Sequence, residues 1–68
     1  MDHYYVDINA QYNGTNEVHK LSCLDLPLPV HRSYLGMYNN CHEAVEEATK
    51  KCPTAGGCLY CCPEFHKR

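Results

Sequence analysis

The sequence GGCLYCCPEFH, residues 56–66, contains three cysteines within five residues, and two of them are adjacent. Cys58 and Cys61 form a C-x2-C motif, in which two thiolates can bind one ion from a tight turn. Such thiols can be joined in disulfides, take part in redox chemistry or bind a metal. The other segments decide among these roles, because a four-coordinate metal needs further ligands from elsewhere in the chain.

The chain is short for a protein without cross-links. Its 68 residues are enough for one small domain over residues 1–68. A domain of this length buries only about 60% of the surface that its unfolded chain exposes. Hydrophobic residues make up 44% of the chain, but six residues are Cys and six are Tyr. A core this thin usually needs disulfides or a structural metal.

The N-terminal sequence predicts a cytoplasmic protein. Residues 1–7, MDHYYVD, lack the basic segment and apolar run of a secretory signal. Because no stretch approaches the roughly 18 apolar residues of a membrane span, we expect no membrane association. Cytosolic thiols stay reduced, and clustered cysteines there bind metal or act in catalysis more often than they form disulfides. We therefore expect a metal site, with a disulfide-rich secreted protein as the alternative.

Periodicity predicts a β-hairpin followed by a short third strand. Residues 4–10 alternate as a half-buried strand, and Asn13-Gly14 favours a tight turn before the returning strand at residues 15–20. The residues expected on the inward face of the first strand are Tyr4, Val6 and Ile8. The two prolines of residues 24–32 predict an extended loop, and residues 33–38 resume as a strand.

The segment after residue 39 predicts one α-helix, which completes a small α+β fold. Asn40 is a favourable cap, and Glu43 is placed to complete a capping box. Pro53 ends the helix, and residues 55–57 are expected to turn. An apolar stripe is expected from Ala44, Val45 and Ala48. Two i,i+4 ion pairs are expected on the exposed side, Glu46–Lys50 and Glu47–Lys51. We interpret Cys41 and Cys52, at its two ends, as small buried hydrophobic residues.

A second pair of ligands lies at the end of the second strand. His19 and Cys23 form an H-x3-C motif, and zinc sites commonly combine two such pairs from separate segments. The sequence therefore predicts one Zn2+ per chain, in a zinc-stabilised domain, bound by His19, Cys23, Cys58 and Cys61. A Cys3His set fills all four positions of a tetrahedral ion, which indicates a structural site.

Two other residues are alternate ligands. Cys62 is a rival to Cys61, because the spacing from Cys58 would also let it reach an ion, although x2 is the commoner spacing. His66 lies near enough in sequence to replace a ligand. Fe2+ and Co2+ also suit a Cys3His set, so the sequence favours zinc without specifying it.

The arrangement resembles the small Ada-like zinc-binding domains of bacterial DNA repair proteins. The matched stretches are residues 19–23, 34–40, 43–44 and 58–61, and the resemblance runs from His19 to Pro63. In that family the first ligand is a cysteine whose zinc-bound thiolate accepts a methyl group from a DNA phosphotriester. Because His19 occupies the corresponding position here, the resemblance implies the scaffold without the repair chemistry.

Charge and motifs favour a non-enzymatic protein that binds another protein. The formal net charge is −2, and the six Lys and Arg residues form no stripe, whereas duplex DNA binding depends on such residues. A nucleic-acid-binding module on the Ada-like scaffold is the runner-up. Thiol redox catalysis is a further alternative, but C-x2-C motifs of that kind open a helix, and Pro63 leaves little chain for one. We find no hydrolytic nucleophile or phosphate-binding loop.

Overall fold

The computed structural model describes residues 1–11 and 14–66, which form one α-helix and a four-stranded sheet. The elements in chain order are β1 (Asp2–Asp7), β2 (Asn16–Lys20), β3 (Arg32–Tyr38), α1 (Cys41–Lys51) and β4 (Ala55–Gly57), with 3-10 turns at Pro29–His31 and Pro63–Phe65. The strands lie in the order β3-β1-β2-β4. The predicted α+β class is confirmed.

β1 and β2 form the predicted antiparallel hairpin, with Val6 opposite Val18. β1 ends at Asp7 and not at residue 10, because the Asp7 carboxylate accepts a hydrogen bond of 2.9 Å from the backbone N–H of Asn9. An aspartate that binds the backbone two residues later turns the chain. Ile8, predicted on the inward face, therefore lies beyond the strand and is 56% exposed.

The connection between these strands is longer than a two-residue turn. The backbone N–H of Gln11 donates to the Thr15 carbonyl at 2.8 Å, so the two arms of the hairpin are hydrogen-bonded beyond the ends of β1 and β2. Gly14 has a φ of +86°, in the left-handed region that glycine adopts without steric cost. Asn13, the other residue of the predicted turn, lies outside the described residues.

β3 follows the proline-containing loop and pairs antiparallel with the outer side of β1. Its bounds, Arg32–Tyr38, include the predicted residues 33–38. Within the loop, residues Pro29–His31 form a single 3-10 turn. Leu35 of β3 points into the core, where it is 8% exposed.

The prediction of a turn at residues 55–57 is wrong. These residues form β4, which runs parallel to β2 with Glu17 opposite Gly56 and Val18 opposite Gly57. Strand propensity gave no signal because the segment is three residues long and contains two glycines. Tertiary packing supplies the reason for Gly57, since a Cβ there would overlap the carbonyl oxygen of Cys62 and lie 2.9 Å from its Cβ.

α1 begins and ends as predicted. The side chain of Asn40 accepts a hydrogen bond of 2.9 Å from the backbone N–H of Glu43, while the Glu43 carboxylate accepts one from Asn39 and not from the cap residue. The ion pairs differ from the prediction. Lys50 contacts Glu47 at 3.3 Å, three residues away, and His42 contacts Glu46 at 3.5 Å.

The core lies between α1 and the sheet and contains few large side chains. Its buried members are Tyr4, Val18, Leu35, Ala44, Ala48, Ala55 and Cys62. The helix contributes only alanines to this buried set, which lets it lie close to the sheet but buries little apolar area. Since burial of one large aliphatic side chain stabilises a fold by only about 1.5–3 kcal/mol, a core of this size needs cross-links.

One cross-link is a disulfide between Cys41 and Cys62. It replaces two sequence-based interpretations, since Cys41 was expected to be a free hydrophobic residue and Cys62 a rival ligand. The bond joins the first residue of α1 to a position 21 residues later, and closing a loop of this length stabilises a fold by about 3 kcal/mol. Cys52 stays free and partly exposed, and its thiol donates to the Asn16 side-chain oxygen at 3.3 Å.

We predict that Gly57→Ala destabilises the fold by about 3 kcal/mol, because the added methyl group overlaps the backbone of Cys62. Gly14→Ala is the matched control. It should cost about 1–2 kcal/mol through its positive φ alone, since nothing lies within 4 Å of a Cβ there. Urea unfolding measures both variants, and equal losses would contradict the packing explanation.

Candidate metal centre

Parallel pairing of β2 with β4 brings the two predicted ligand pairs together. Cys58 follows β4 directly, and its backbone N–H donates to the Val18 carbonyl of β2 at 3.0 Å. This hydrogen bond places Cys58 beside His19. Because the two strands run in the same direction, the segments that leave their carboxyl ends meet at one end of the sheet.

Two short turns then supply the other sulfurs. The N–H of Cys23 donates to the Lys20 carbonyl at 3.0 Å, which returns the chain towards β2. Residues 58–62, which we call the knuckle, are closed by a 2.9 Å hydrogen bond from Cys62 N–H to the Cys58 carbonyl. Two backbone N–H groups point at the knuckle sulfurs, that of Tyr60 at Cys58 and that of Lys20 at Cys61, each at 3.4 Å.

The cluster contains His19, Cys23, Cys58 and Cys61, whose ligand atoms all lie within 4.8 Å of one another. The Cys23 Sγ lies 3.8 Å from the Cys58 Sγ and 3.7 Å from His19 Nδ1. With Zn–S bonds of about 2.3 Å and Zn–N bonds of about 2.0 Å, the edges of a tetrahedral site are about 3.8 Å between sulfurs and about 3.5 Å between sulfur and nitrogen. These two distances are close to the edges of a zinc site, and all four ligand atoms are near enough to bind a single metal ion.

The cluster is largely shielded from water. His19 is 1% exposed and Cys58 fully buried, while Cys23 and Cys61 are partly exposed. An open cleft of about 650 Å3 adjoins these last two cysteines and is also lined by Asp25 and Tyr60. Solvent therefore reaches the cluster at Cys23 and Cys61, while His19 and Cys58 are enclosed.

Burial sets the protonation of the metal-free site. Desolvation raises the pKa of the Cys58 thiol. It also raises the pKa of Cys61 to about 12, although the hydrogen bond from the Lys20 backbone N–H lowers that pKa. Desolvation lowers the pKa of His19, so its imidazole is neutral at pH 7 and has a lone pair for a metal. Thiols in this state must lose their protons when an ion binds.

A second, overlapping group contains Glu17, His19, Asp25 and Cys58. Glu17 precedes His19 by two residues on β2, so both side chains lie on the face of the strand opposite Val18. Glu17 is 7% exposed, whereas Asp25 is exposed. The sequence analysis missed both carboxylates, although the two-residue spacing from His19 was a usable signal for Glu17.

The two alternate ligands lie outside both groups. Cys62 is bonded to Cys41, so its sulfur has no free thiol in this structure. The Nδ1 atom of His66 lies 3.3 Å from the Gly57 carbonyl oxygen and 3.7 Å from Glu17 Oε2. His66 therefore lies behind Glu17 and not among the sulfurs.

No family model, no curated protein and no solved structure matches the chain. The resemblance to the Ada-like domains therefore stays a prediction carried by its motifs. In the described part of the chain, no helix has the length and apolar character needed to cross a membrane.

We predict that metal binding at pH 7.5 releases about three protons, one from each thiol of the Cys3His set. His19 contributes none because its lowered pKa keeps it neutral at this pH. Apparent affinity should accordingly rise about 10³-fold for each pH unit over the range in which three protons are released. Calorimetric titration in two buffers of different ionisation enthalpy measures the proton number, and about one proton would indicate the carboxylate-containing group instead.

Proposed function

We propose that this chain is a small, non-enzymatic zinc-binding protein whose single Cys3His site is structural. The observation that carries the proposal is the close grouping of His19, Cys23, Cys58 and Cys61, whose ligand atoms all lie within 4.8 Å of one another. Three sulfurs and one imidazole are a ligand set that zinc prefers, and all four coordination positions are filled by the protein. A site without an open position cannot bind and activate a substrate at the metal.

The position of the cluster supports a structural role. The ligands come from the end of β2, the turn after it and the knuckle, so one ion would join two parts of the chain that are distant in sequence. The apolar core includes Val18 and Cys62, which are the sequence neighbours of His19 and Cys61, so the cluster adjoins the core. An ion at this point would cross-link the loop at residues 21–25 to the C-terminal segment, as structural zinc does in domains too small to fold without it.

We predict one zinc per chain in native mass spectrometry of protein purified without added metal, and loss of the cooperative fold on chelation. Cys58→Ser should remove zinc and unfold the protein, whereas Cys52→Ser should retain zinc because its thiol lies outside the cluster. Circular dichroism before and after chelation tests this. Protein that contains no zinc, or that keeps its fold without it, contradicts the proposal.

The thiol count tests both the disulfide and the compartment. Protein trapped with acid and alkylated should show four reactive thiols under denaturing conditions and two more after reduction. Clustered free thiols favour the cytoplasm, while the Cys41–Cys62 disulfide favours an oxidising compartment. Six thiols before reduction, in protein taken from its own cells, would support the cytoplasm.

We further propose that the metal-ordered turns bind another protein. Leu24 is fully exposed and Tyr60 is 74% exposed, and both line the cleft beside Cys23 and Cys61. Large exposed apolar residues grouped in this way are typical of interaction sites. The partner surface that fits them is an apolar segment.

A photo-reactive side chain at position 60 should cross-link reproducibly to one partner protein, and only when the chain is metal-bound. The substitution Leu24→Ser should abolish this cross-linked product. The matched control is the same group at Glu46, exposed on α1. Equal products at both positions, or none at position 60, would contradict an interface at the cleft.

Nucleic-acid binding is the less favoured function. Tyr4 is buried in the core, so Tyr4, Tyr5 and Tyr34 do not line one exposed face as a base-stacking platform would require. Lys20 contacts Asp2 at 3.9 Å, and the Arg32 guanidinium donates to the Pro27 carbonyl at 3.0 Å. These charges are engaged within the protein.

A further inference from the structure

The two nitrogens of the His19 ring face different partners. Nδ1 lies 3.7 Å from the Cys23 Sγ, among the sulfurs, while Nε2 lies 3.8 Å from Glu17 Oε1. A neutral imidazole carries its proton on one nitrogen and its lone pair on the other. If one ring nitrogen has an acceptor for its proton, the other nitrogen keeps its lone pair and can bind the metal.

Glu17 is built into the protein as that acceptor. Its residue is 7% exposed, and its second oxygen, Oε2, lies 3.7 Å from His66 Nδ1. The carboxylate is thus positioned from both sides, by His19 and by His66. An approach of about 1 Å between Oε1 and Nε2 would bring them to hydrogen-bond distance.

We propose that Glu17 is a positioning residue of the zinc site, which holds the proton of His19 on Nε2 and directs Nδ1 to the metal. The inference rests on the proposed zinc function and deepens it. It assigns the ion to the three sulfurs and Nδ1, and it makes Glu17 a supporting carboxylate instead of a ligand of a second ion site. Carboxylates that bind the far nitrogen of a ligand histidine orient the ring and strengthen the metal bond.

The contrast between two carboxylates gives the test. Glu17→Gln keeps the side-chain volume and removes the negative charge, and we expect it to lower zinc affinity about 10–100-fold. Asp25→Asn, in the same overlapping group but exposed, is the control and should change affinity less than about twofold. Affinity is measured by competition with a chromophoric chelator, with Zn2+ as the probe.

A second measurement uses the wild-type protein, so its result does not depend on whether a variant folds. Long-range 1H–15N correlation spectra of the zinc-bound wild type should show His19 protonated on Nε2 and metal-bound through Nδ1. Metal on Nε2, or equal losses in Glu17→Gln and Asp25→Asn, would overturn the proposal and place the carboxylates among the ligands. If the wild type binds no zinc at all, the proposed function fails, which is a different result from either of these.

Discussion

The parallel register of β4 on β2 is the constraint on which the rest of the structure depends. A hydrogen bond from Cys58 N–H to the Val18 carbonyl fixes this register where the chain leaves β4. His19 lies at the carboxyl end of one strand and Cys58 follows the carboxyl end of the other, so parallel pairing puts them at the same end of the sheet. Antiparallel pairing would have separated the ligand pairs by the length of the strands. Gly57 makes this approach feasible because a side chain there would overlap Cys62.

The adjacent cysteines Cys61 and Cys62 connect the knuckle to two different parts of the molecule, the metal cluster and the helix. Cys61 faces the cluster on β2, and Cys62 is bonded to the first residue of α1. The two neighbouring side chains leave the turn in different directions, so this vicinal pair serves two partners. The knuckle is thereby held between the sheet and the helix, the two layers that the small core joins only weakly.

Much of this architecture follows from local sequence signals. The Asn40 cap, Pro53 and the alternation in β1 and β2 are short-range features, and the predicted helix and hairpin formed accordingly. The grouping of His19 and Cys23 with the knuckle cysteines was also predicted from spacing. β4 and the Cys41–Cys62 bond were not, because both depend on contacts between segments distant in sequence. Cysteine spacing limits the pairings without choosing one, and three residues with two glycines carry no strand pattern.

The line of side chains from His66 through Glu17 to His19 explains how this small domain accommodates a buried carboxylate. An unpaired buried charge is strongly destabilising, and desolvation does raise the pKa of Glu17. The neighbouring His66 acts in the opposite direction, and in the proposed zinc site the His19 imidazole would offer its Nε2–H to the other carboxylate oxygen, which lies 3.8 Å away in this structure. Glu17 therefore has partners on both oxygens only when His19 is oriented with Nε2 towards it. The carboxylate and the metal site depend on the same ring orientation, so whatever stabilises one stabilises the other.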